Sequence, residues 1–230
     1  MRNTIRQDAR MIIKDKKLLI FDLDGTIADT LYSIRDAVNM CMEHFGFEER
    51  SYSEVRAAVG NGARLLILRS IPAEVAADAE RAEEIYKYFQ SCYSITYNRI
   101  DGCYKGMYDA MTELHARGYT LAVLSNKPDA YVKNIIGALF DKETVVIAMG
   151  ETDLPKKPDP TAPHYIARTL GFEPKDCAFI GDSEVDIRTA QNAGMLSVAV
   201  SWGFRSKETL IECAPDVIID RPSELLEIFE

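Results

Sequence analysis

The sequence lacks a long hydrophobic run, a block of basic residues and a paired cysteine motif. No stretch approaches the roughly 18 consecutive apolar residues of a membrane-spanning helix, so we expect no membrane partner. Acidic residues number 36 and basic ones 27, and a net charge of −9 without a basic block argues against nucleic-acid binding. The five cysteines include no C-x-x-C pair, which disfavours a disulfide framework or a zinc site.

The cysteines and the amino-terminal residues both favour a cytoplasmic protein. Unpaired cysteines suit a reducing compartment, and residues 1–17 are charged, without the apolar run of a secretory signal peptide. We expect residues 1–16 to be a partly ordered extension. The 230 residues, 47% of them hydrophobic and 27% charged, suffice for one large domain or for a core with a smaller insertion.

Five short apolar runs, and a weaker sixth, end in small or acidic residues. Such short runs, rich in Val, Ile and Leu, are typical of strands buried on both faces. Helical patterns lie between most of them, one of which begins at Pro128, and this alternation predicts an α/β fold with a Rossmann-like parallel sheet flanked by helices. The predicted strands are Leu18–Asp22, Thr120–Ser125, Val145–Met149, Cys177–Gly181, Leu196–Val200 and Val217–Ile219.

The stretch from about residue 30 to residue 100 interrupts this alternation, because it contains helical patterns and no convincing strand. The patterns cover Leu31–Phe45, Asn61–Ser70 and Ala73–Ile100, and Ser51 and Glu54 have the spacing of a helix capping box. We predict an all-helical domain over 29–100 and an α/β core over 1–28 and 101–230. Ligands bind at the carboxyl ends of the strands of such sheets, so an insertion after the first strand would form a cap above the site.

Two acidic residues, Asp22 and Asp24, directly follow the first predicted strand. Asp and Gly are common in turns, and an ordinary turn is one interpretation. A carboxylate at the buried end of a central strand is costly, however, unless a metal or a reacting group compensates its charge. We therefore favour a functional role for this pair.

A second acidic group, which contains Asp182 and Asp186, follows the fourth predicted strand. These two acids can approach each other across one helical turn. Alternatively, Asp182 or Ser183 caps the next helix and the other acids interact with its dipole. Both acidic groups end strands of one sheet, and Asp22, Asp24 and Asp182 together offer the hard oxygen ligands that Mg²⁺ prefers.

Two polar segments could contact a phosphate. Ser125 and Asn126 stand before a predicted helix, where a hydroxyl and backbone N–H groups suit an anion, although both are also ordinary capping residues. Lys156 and Lys157 lie in a loop before another helix, where one lysine could neutralise phosphate charge or both could be solvated.

Within the predicted helical domain, residues 60–64 are the best candidates for substrate contact. Gly62 permits close backbone approach, and Arg64 could pair with a substrate carboxylate. A turn that precedes the next helix, with Arg64 in solvent, is an equally good interpretation. Residues 202–205, Trp-Gly-Phe-Arg, follow the fifth strand, and we interpret them as structural rather than as a substrate contact.

Taken together and in this order, the motifs resemble those of the haloacid dehalogenase superfamily. The resemblance extends from about Lys17 to the end of the chain, and within the superfamily the sequence is most similar to the phosphoglycolate phosphatase branch. The matching residues are Asp22 to Thr26 for the first motif, Ser125 for the second, Lys157 for the third, and Gly181, Asp182, Ser183 and Asp186 for the fourth.

The resemblance implies an Mg²⁺-dependent phosphatase of a small phosphorylated metabolite, with 2-phosphoglycolate the leading candidate. Asp22 would attack phosphorus and form an aspartyl phosphate, and Asp24 would act as general acid and then as general base. Mg²⁺ would be held by Asp22, the Asp24 carbonyl oxygen and Asp182. Asp186 would not bind the metal but would orient water molecules or Lys157. The phosphate oxygens would be stabilised by Ser125, the Asn126 amide and Lys157.

Other functions are compatible with the same motifs. A phosphosugar mutase would keep Asp22 and Asp24 but shield its phosphoenzyme from water. Pyrophosphate and nucleoside monophosphates remain open as substrates. A carbon–halogen hydrolase has no need of Asp24 or Mg²⁺, and a non-catalytic binding protein has no need of both acids. Protein partners cannot be inferred from the sequence.

Overall fold

The structure is a computed structural model that describes residue 13, residues 15–60 and residues 62–230. Most of the predicted amino-terminal extension and Asn61 therefore lie outside the described residues. The described residues form two compact units, one containing those up to Ala28 together with Gly102–Glu230, the other containing those of Asp29–Asp101. The sequence-based division differs from this one by a single residue, since it begins the second core segment at residue 101.

The first unit is built on a six-stranded sheet in which all strands are parallel. Their spatial order is β3-β2-β1-β4-β5-β6, so the chain moves outward in one direction and then returns to the other side of β1. A crevice at the carboxyl ends of the strands is expected where the order reverses. The strands are β1 (Leu18–Phe21), β2 (Thr120–Pro128), β3 (Ile147–Glu151), β4 (Cys177–Gly181), β5 (Leu196–Val200) and β6 (Val217–Ile219).

Helices connect these strands, which confirms the predicted α/β fold. Parallel strands need such crossovers because a tight turn cannot join them. Numbered along the chain after five helices of the second unit, the connecting helices are α6 (Met107–Ala116), α7 (Asp129–Leu139), α8 (Thr161–Thr169), α9 (Glu184–Ala193) and α10 (Lys207–Glu212). Helix α11 (Leu225–Ile228) follows the last strand, and short 3₁₀ turns lie at Pro174–Asp176 and Pro222–Glu224.

Strand β2 is longer than the sequence predicts. An irregularity between Leu124 and Pro128 lets the strand pair again with β3, where Pro128 lies opposite Glu151. Pro128 thus ends a strand with an extended ψ of 133°, and α7 begins at Asp129 rather than at the proline. The prediction of a helix start at Pro128 was wrong because the bulge leaves no trace in the hydrophobic pattern.

The core of this unit lies between the sheet and its helices. Strands β1 and β4 are buried along their whole length, as the apolar runs predict. Leu18, Ile20 and Phe179 of these strands belong to one cluster with Leu124 of β2 and Ile166 of α8. Burial of this apolar surface holds the central strands in register, and with them the loops that leave their carboxyl ends.

The second unit is entirely helical over its described residues. Its helices are α1 (Leu31–Phe45), α2 (Tyr52–Ala58), α3 (Ala63–Ser70), α4 (Ala73–Ala76) and α5 (Ala79–Thr96). The predicted capping box is present, since the Ser51 and Glu54 side chains bond to each other's backbone N–H. The pattern over 73–100 forms two helices, because Asp78 caps α5 through the N–H groups of residues 80 and 81. Within the described residues, no helix has the length and apolar character needed to cross a membrane.

We predict that Ile166→Ala lowers the free energy of unfolding by about 2–5 kcal/mol, because it leaves a cavity in the core cluster. Ile166 has no exposed surface. Arg168→Ala on the same helix is the matched control, since its exposed side chain should change stability by no more than about 0.5 kcal/mol. Urea denaturation followed by circular dichroism measures both, and equal effects would contradict the placement of α8 against the sheet.

Candidate active site

The first acidic pair lies in a tight turn at the carboxyl end of β1. The Asp22 N–H donates to the Ile180 carbonyl at 2.9 Å, which continues the pairing of β1 with β4. Beyond it, the Leu23 carbonyl accepts hydrogen bonds from the N–H groups of residues 26, 27 and 28. Gly25 has a φ of +86°, and a Cβ there would lie 2.4 Å from Asp182 Oδ2. The turn therefore needs a glycine in order to bring the β1 and β4 ends together.

The second acidic group begins at the end of β4 and continues into α9. Ser183 caps α9, as one of the alternatives predicted, and its hydroxyl donates to Asp186 Oδ2 at 2.6 Å. Capping does not exclude a functional site here. Carboxylate oxygens of Asp22, Asp182 and Asp186 all lie within 4.8 Å of one another, and all three residues are buried.

Lys157 reaches this acidic cluster from the loop after β3. Its ammonium nitrogen lies 2.7 Å from Asp22 Oδ1 and 2.7 Å from Asp186 Oδ1, and its side chain is only 4% exposed. Lys156 instead contacts Glu151 on the surface, with its side chain 46% exposed. The interpretation of both lysines as solvated surface is thus wrong for Lys157, because loop position alone does not show which of two adjacent side chains turns inward.

The Asn126 side chain holds the backbone of Lys157 from both sides. Its carboxamide oxygen accepts the Lys157 N–H at 3.0 Å, and its NH₂ group donates to the Lys157 carbonyl at 3.1 Å. Asn126 therefore links the end of β2 to the lysine loop, a role that the sequence does not reveal. Ser125, the neighbouring predicted site residue, is buried in the irregular part of β2, and its hydroxyl accepts the Lys127 N–H at 3.3 Å.

Lys127 is a site residue that the sequence analysis did not identify. Its ammonium donates to Asp24 Oδ1 at 2.7 Å, and its side chain is 2% exposed. The available signal was its place in the polar segment with Ser125 and Asn126. Because β2 was predicted to end at Ser125, the hydrophobic pattern gave no sign that Lys127 is buried.

Burial makes the ionised forms of the acids in the site unfavourable. It raises the pKa of Asp22 to about 7, opposed by Lys157 and reinforced by Asp186 and Asp24. Burial also raises the pKa of Asp182, and the charges of Asp186 and Asp22 add to the rise. Burial lowers the pKa of Lys157, but the same two acids, Asp186 and Asp22, more than offset it, so the net shift is upward and the lysine stays cationic.

The same residues fit a divalent cation. Two ammonium groups, on Lys127 and Lys157, face the four carboxylates of Asp22, Asp24, Asp182 and Asp186, which leaves two negative charges when all are ionised. Oxygen donors of this kind are the ligands that hard cations such as Mg²⁺ select. A bound cation of charge +2 would compensate the charge that burial makes costly.

The candidates in the helical unit have other partners. Gly62 has a φ of +88° and precedes α3, which begins at residue 63. Arg64 forms an ion pair with Glu83 and lies 5.5 Å from the centre of the Tyr86 ring, while its side chain stays 55% exposed. Gly62 thus adopts a backbone conformation that favours glycine, and the Arg64 guanidinium is paired with Glu83 while it stays accessible to solvent.

Comparisons with known proteins agree on one family. The family model of the haloacid dehalogenase-like hydrolases matches residues 19–200. The chain is similar to a phosphoglycolate phosphatase of Vibrio vulnificus, with 30% identity over 223 residues, 95% of this chain and 98% of that protein. It is also 30% identical to phosphoglycolate phosphatase 1 of Pseudomonas aeruginosa, over 91% of this chain and 78% of that one.

The chain is also similar to a solved structure whose description names the same activity. A protein from Haemophilus somnus, described as a predicted phosphoglycolate phosphatase, superposes with a TM-score of 0.82 and 29% identity. The similarity covers 94% of this chain and 98% of that one. The family model spans the whole set of buried acids and lysines described above, and this chain belongs to the haloacid dehalogenase-like hydrolase family.

Proposed function

We propose that this chain is an Mg²⁺-dependent phosphatase that hydrolyses a small phosphorylated metabolite through an aspartyl-phosphate intermediate. One observation carries the proposal: Asp22 lies at the end of a central strand with Lys157 at 2.7 Å and the carboxylates of Asp182 and Asp186 beside it. A structural ion pair would need one acid and one lysine. Three clustered acids, of which Lys157 contacts only two, are better explained by a site that also takes a cation and an anionic substrate.

Asp22 is the proposed nucleophile. Its carboxylate oxygen attacks phosphorus in line and forms a new P–O bond, while the bond from phosphorus to the ester oxygen breaks and the electron pair leaves with that oxygen. Asp24 gives its proton to the leaving oxygen. In the second step water attacks the same phosphorus, Asp24 accepts the water's proton, and Asp22 is released as a carboxylate.

Lys157 is proposed to stabilise the transferred phosphoryl group. An ammonium group has three N–H donors, and Asp22 and Asp186 accept two of them. A phosphate oxygen can accept the third. The Ser125 hydroxyl and the Asn126 backbone amide are the further proposed donors at the end of β2, where they would meet the charge that develops on the phosphate oxygens.

Mg²⁺ would be held by the Asp22 and Asp182 carboxylates and the Asp24 carbonyl oxygen. When bound, it would reduce the repulsion between the attacking carboxylate and the phosphate oxygens. Asp186 would position Lys157, because its Oδ1 accepts from the lysine while its Oδ2 accepts from Ser183. An acid held at both oxygens keeps one orientation and therefore fixes the ammonium group.

The proposed substrate is 2-phosphoglycolate, the substrate in the names of the relatives. We assign its recognition to the helical unit as a cap, through Gly62 and the Arg64 guanidinium, whose planar donors suit a carboxylate. We also propose a cytoplasmic location, because all five cysteines are free thiols and such thiols persist in reducing compartments.

We expect Asp22→Asn to reduce phosphate release about a thousandfold or more, because an amide cannot attack phosphorus. The amide can still accept a hydrogen bond from Lys157, so circular dichroism should show a folded protein. Asp153→Asn, an exposed acid in the loop before Lys157, is the matched control and should keep wild-type turnover. A folded Asp22→Asn variant with normal activity would remove Asp22 from this role.

Removal of the metal should abolish activity. We expect phosphate release to fall to background in EDTA and to return with Mg²⁺ but not with Ca²⁺, which takes more ligands at longer distances and could bind both Asp22 oxygens. Mg²⁺ alone should also raise the melting temperature, since a ligand that binds only the folded state stabilises it. Full activity in EDTA, or equal rates with Ca²⁺, would contradict the proposed site.

Arg64→Ala should lower kcat/KM for 2-phosphoglycolate far more than for a neutral aryl phosphate, which has no carboxylate to pair. A desolvated charge pair is worth about 2–5 kcal/mol, whereas a solvated one is worth under about 1 kcal/mol. Arg81→Ala is the control, because Arg81 forms a comparable exposed ion pair with Glu84. Equal losses on both substrates would indicate a structural role for Arg64, and no loss on either would place it in solvent.

A further inference from the structure

The loop after β5 lies against the proposed metal ligand Asp182 and the turn after β1. This loop, Trp202–Arg205, was interpreted from the sequence as structural, and none of its residues takes part in the mechanism above. The Phe204 N–H donates to Asp182 Oδ2 at 2.6 Å. One oxygen of the Asp182 carboxylate is thereby fixed by backbone, and the Thr26 hydroxyl reaches the other at 3.4 Å.

Gly203 makes the close approach possible. A Cβ at this position would lie 2.3 Å from the Asp182 Cβ and 2.4 Å from the Gly25 carbonyl oxygen. Such distances are far shorter than any van der Waals contact, and the Gly25 oxygen is backbone, which cannot rotate away. Any side chain at position 203 therefore displaces Asp182, the Gly25 turn or the loop itself.

Trp202 ties the same loop to the turn that carries the nucleophile and the acid–base residue. Its indole N–H donates to the Thr26 carbonyl at 3.0 Å. At the end of the loop, Arg205 contacts Glu184 at 2.8 Å. The backbones of Gly25 and Gly203 thus both lie close against the Asp182 side chain, and its hydrogen bonds restrict its rotation.

We propose that Trp202 and Gly203 are positioning residues that set the orientation in which Asp182 offers an oxygen to the divalent cation. The inference rests on the proposed metal site. An unconstrained Asp side chain samples several rotamers. The Asp182 side chain is held by a backbone N–H donor and by the nearby backbones of Gly25 and Gly203, so its orientation is fixed before the cation binds. The tryptophan fixes the distance between loop and turn, and the glycine allows that distance to be short.

The test is calorimetric titration of the substrate-free protein with MgCl₂. We expect Trp202→Phe, which keeps an aromatic ring and loses the indole N–H, to weaken Mg²⁺ binding about tenfold or more, as do changes behind other metal ligands. Gly203→Ala should weaken it further. Gly137→Ala is the matched control, because a Cβ there meets nothing within 4 Å, and its Mg²⁺ affinity should equal that of the wild type.

A second readout separates positioning from general damage. Trp202→Phe should need a higher Mg²⁺ concentration for half-maximal activity while recovering most of the wild-type kcat at saturation. Unchanged Mg²⁺ affinity in a folded Trp202→Phe protein would overturn the inference, even where Gly203→Ala does not fold. If the wild-type protein itself shows no Mg²⁺ binding, the proposed metal site is wrong and the inference falls with it.

Discussion

The contact of one buried lysine with two buried acids is the interaction on which the site depends. Lys157, 4% exposed, lies 2.7 Å from both Asp22 and Asp186. Removing two acids and a lysine from water is costly, and their mutual attraction recovers that cost only with good geometry and further hydrogen bonds. The fold supplies these further hydrogen bonds: the Ser183 hydroxyl donates to Asp186, and the Asn126 side chain accepts the Lys157 N–H.

The parallel sheet explains why these groups meet. Asp22 and Asp182 directly follow β1 and β4, and Ser125 lies in the irregular part of β2. These three strands are adjacent in the strand order. Strands buried on both faces place little polar surface along their length, so polar chemistry is concentrated at their ends. The site is thus a consequence of the same apolar runs that form the core, and a change in strand register would move its acids apart.

Acids that directly follow an apolar run could be predicted from the sequence, whereas contacts that depend on a strand bulge or on the backbone of a loop could not. Asp22 and Asp182 were identified because each follows an apolar run, a signal set by hydrophobic burial. Lys127 was missed because a bulge extends β2 beyond that run. The contact of Phe204 with Asp182 is made by a backbone N–H, which every residue except proline possesses. No residue pattern can reveal such a contact.

The contact of Asp186 with Lys157 matters at every step of the proposed reaction cycle. In the proposed mechanism Asp22 bonds to phosphorus, so its oxygen can no longer neutralise Lys157 as it does in the structure. Asp186 contacts the same ammonium group and takes no part in bond making, so it keeps its charge throughout the cycle. The lysine therefore stays paired and oriented while Asp22 changes between a carboxylate and an acyl phosphate. With Asp22 as its only carboxylate partner, Lys157 would contact only the phosphoryl oxygens in the intermediate. These oxygens leave with the product, so no fixed protein group would orient the ammonium through the cycle. The second acid thus allows the first to act as a nucleophile without disturbing the cation that stabilises the phosphoryl group.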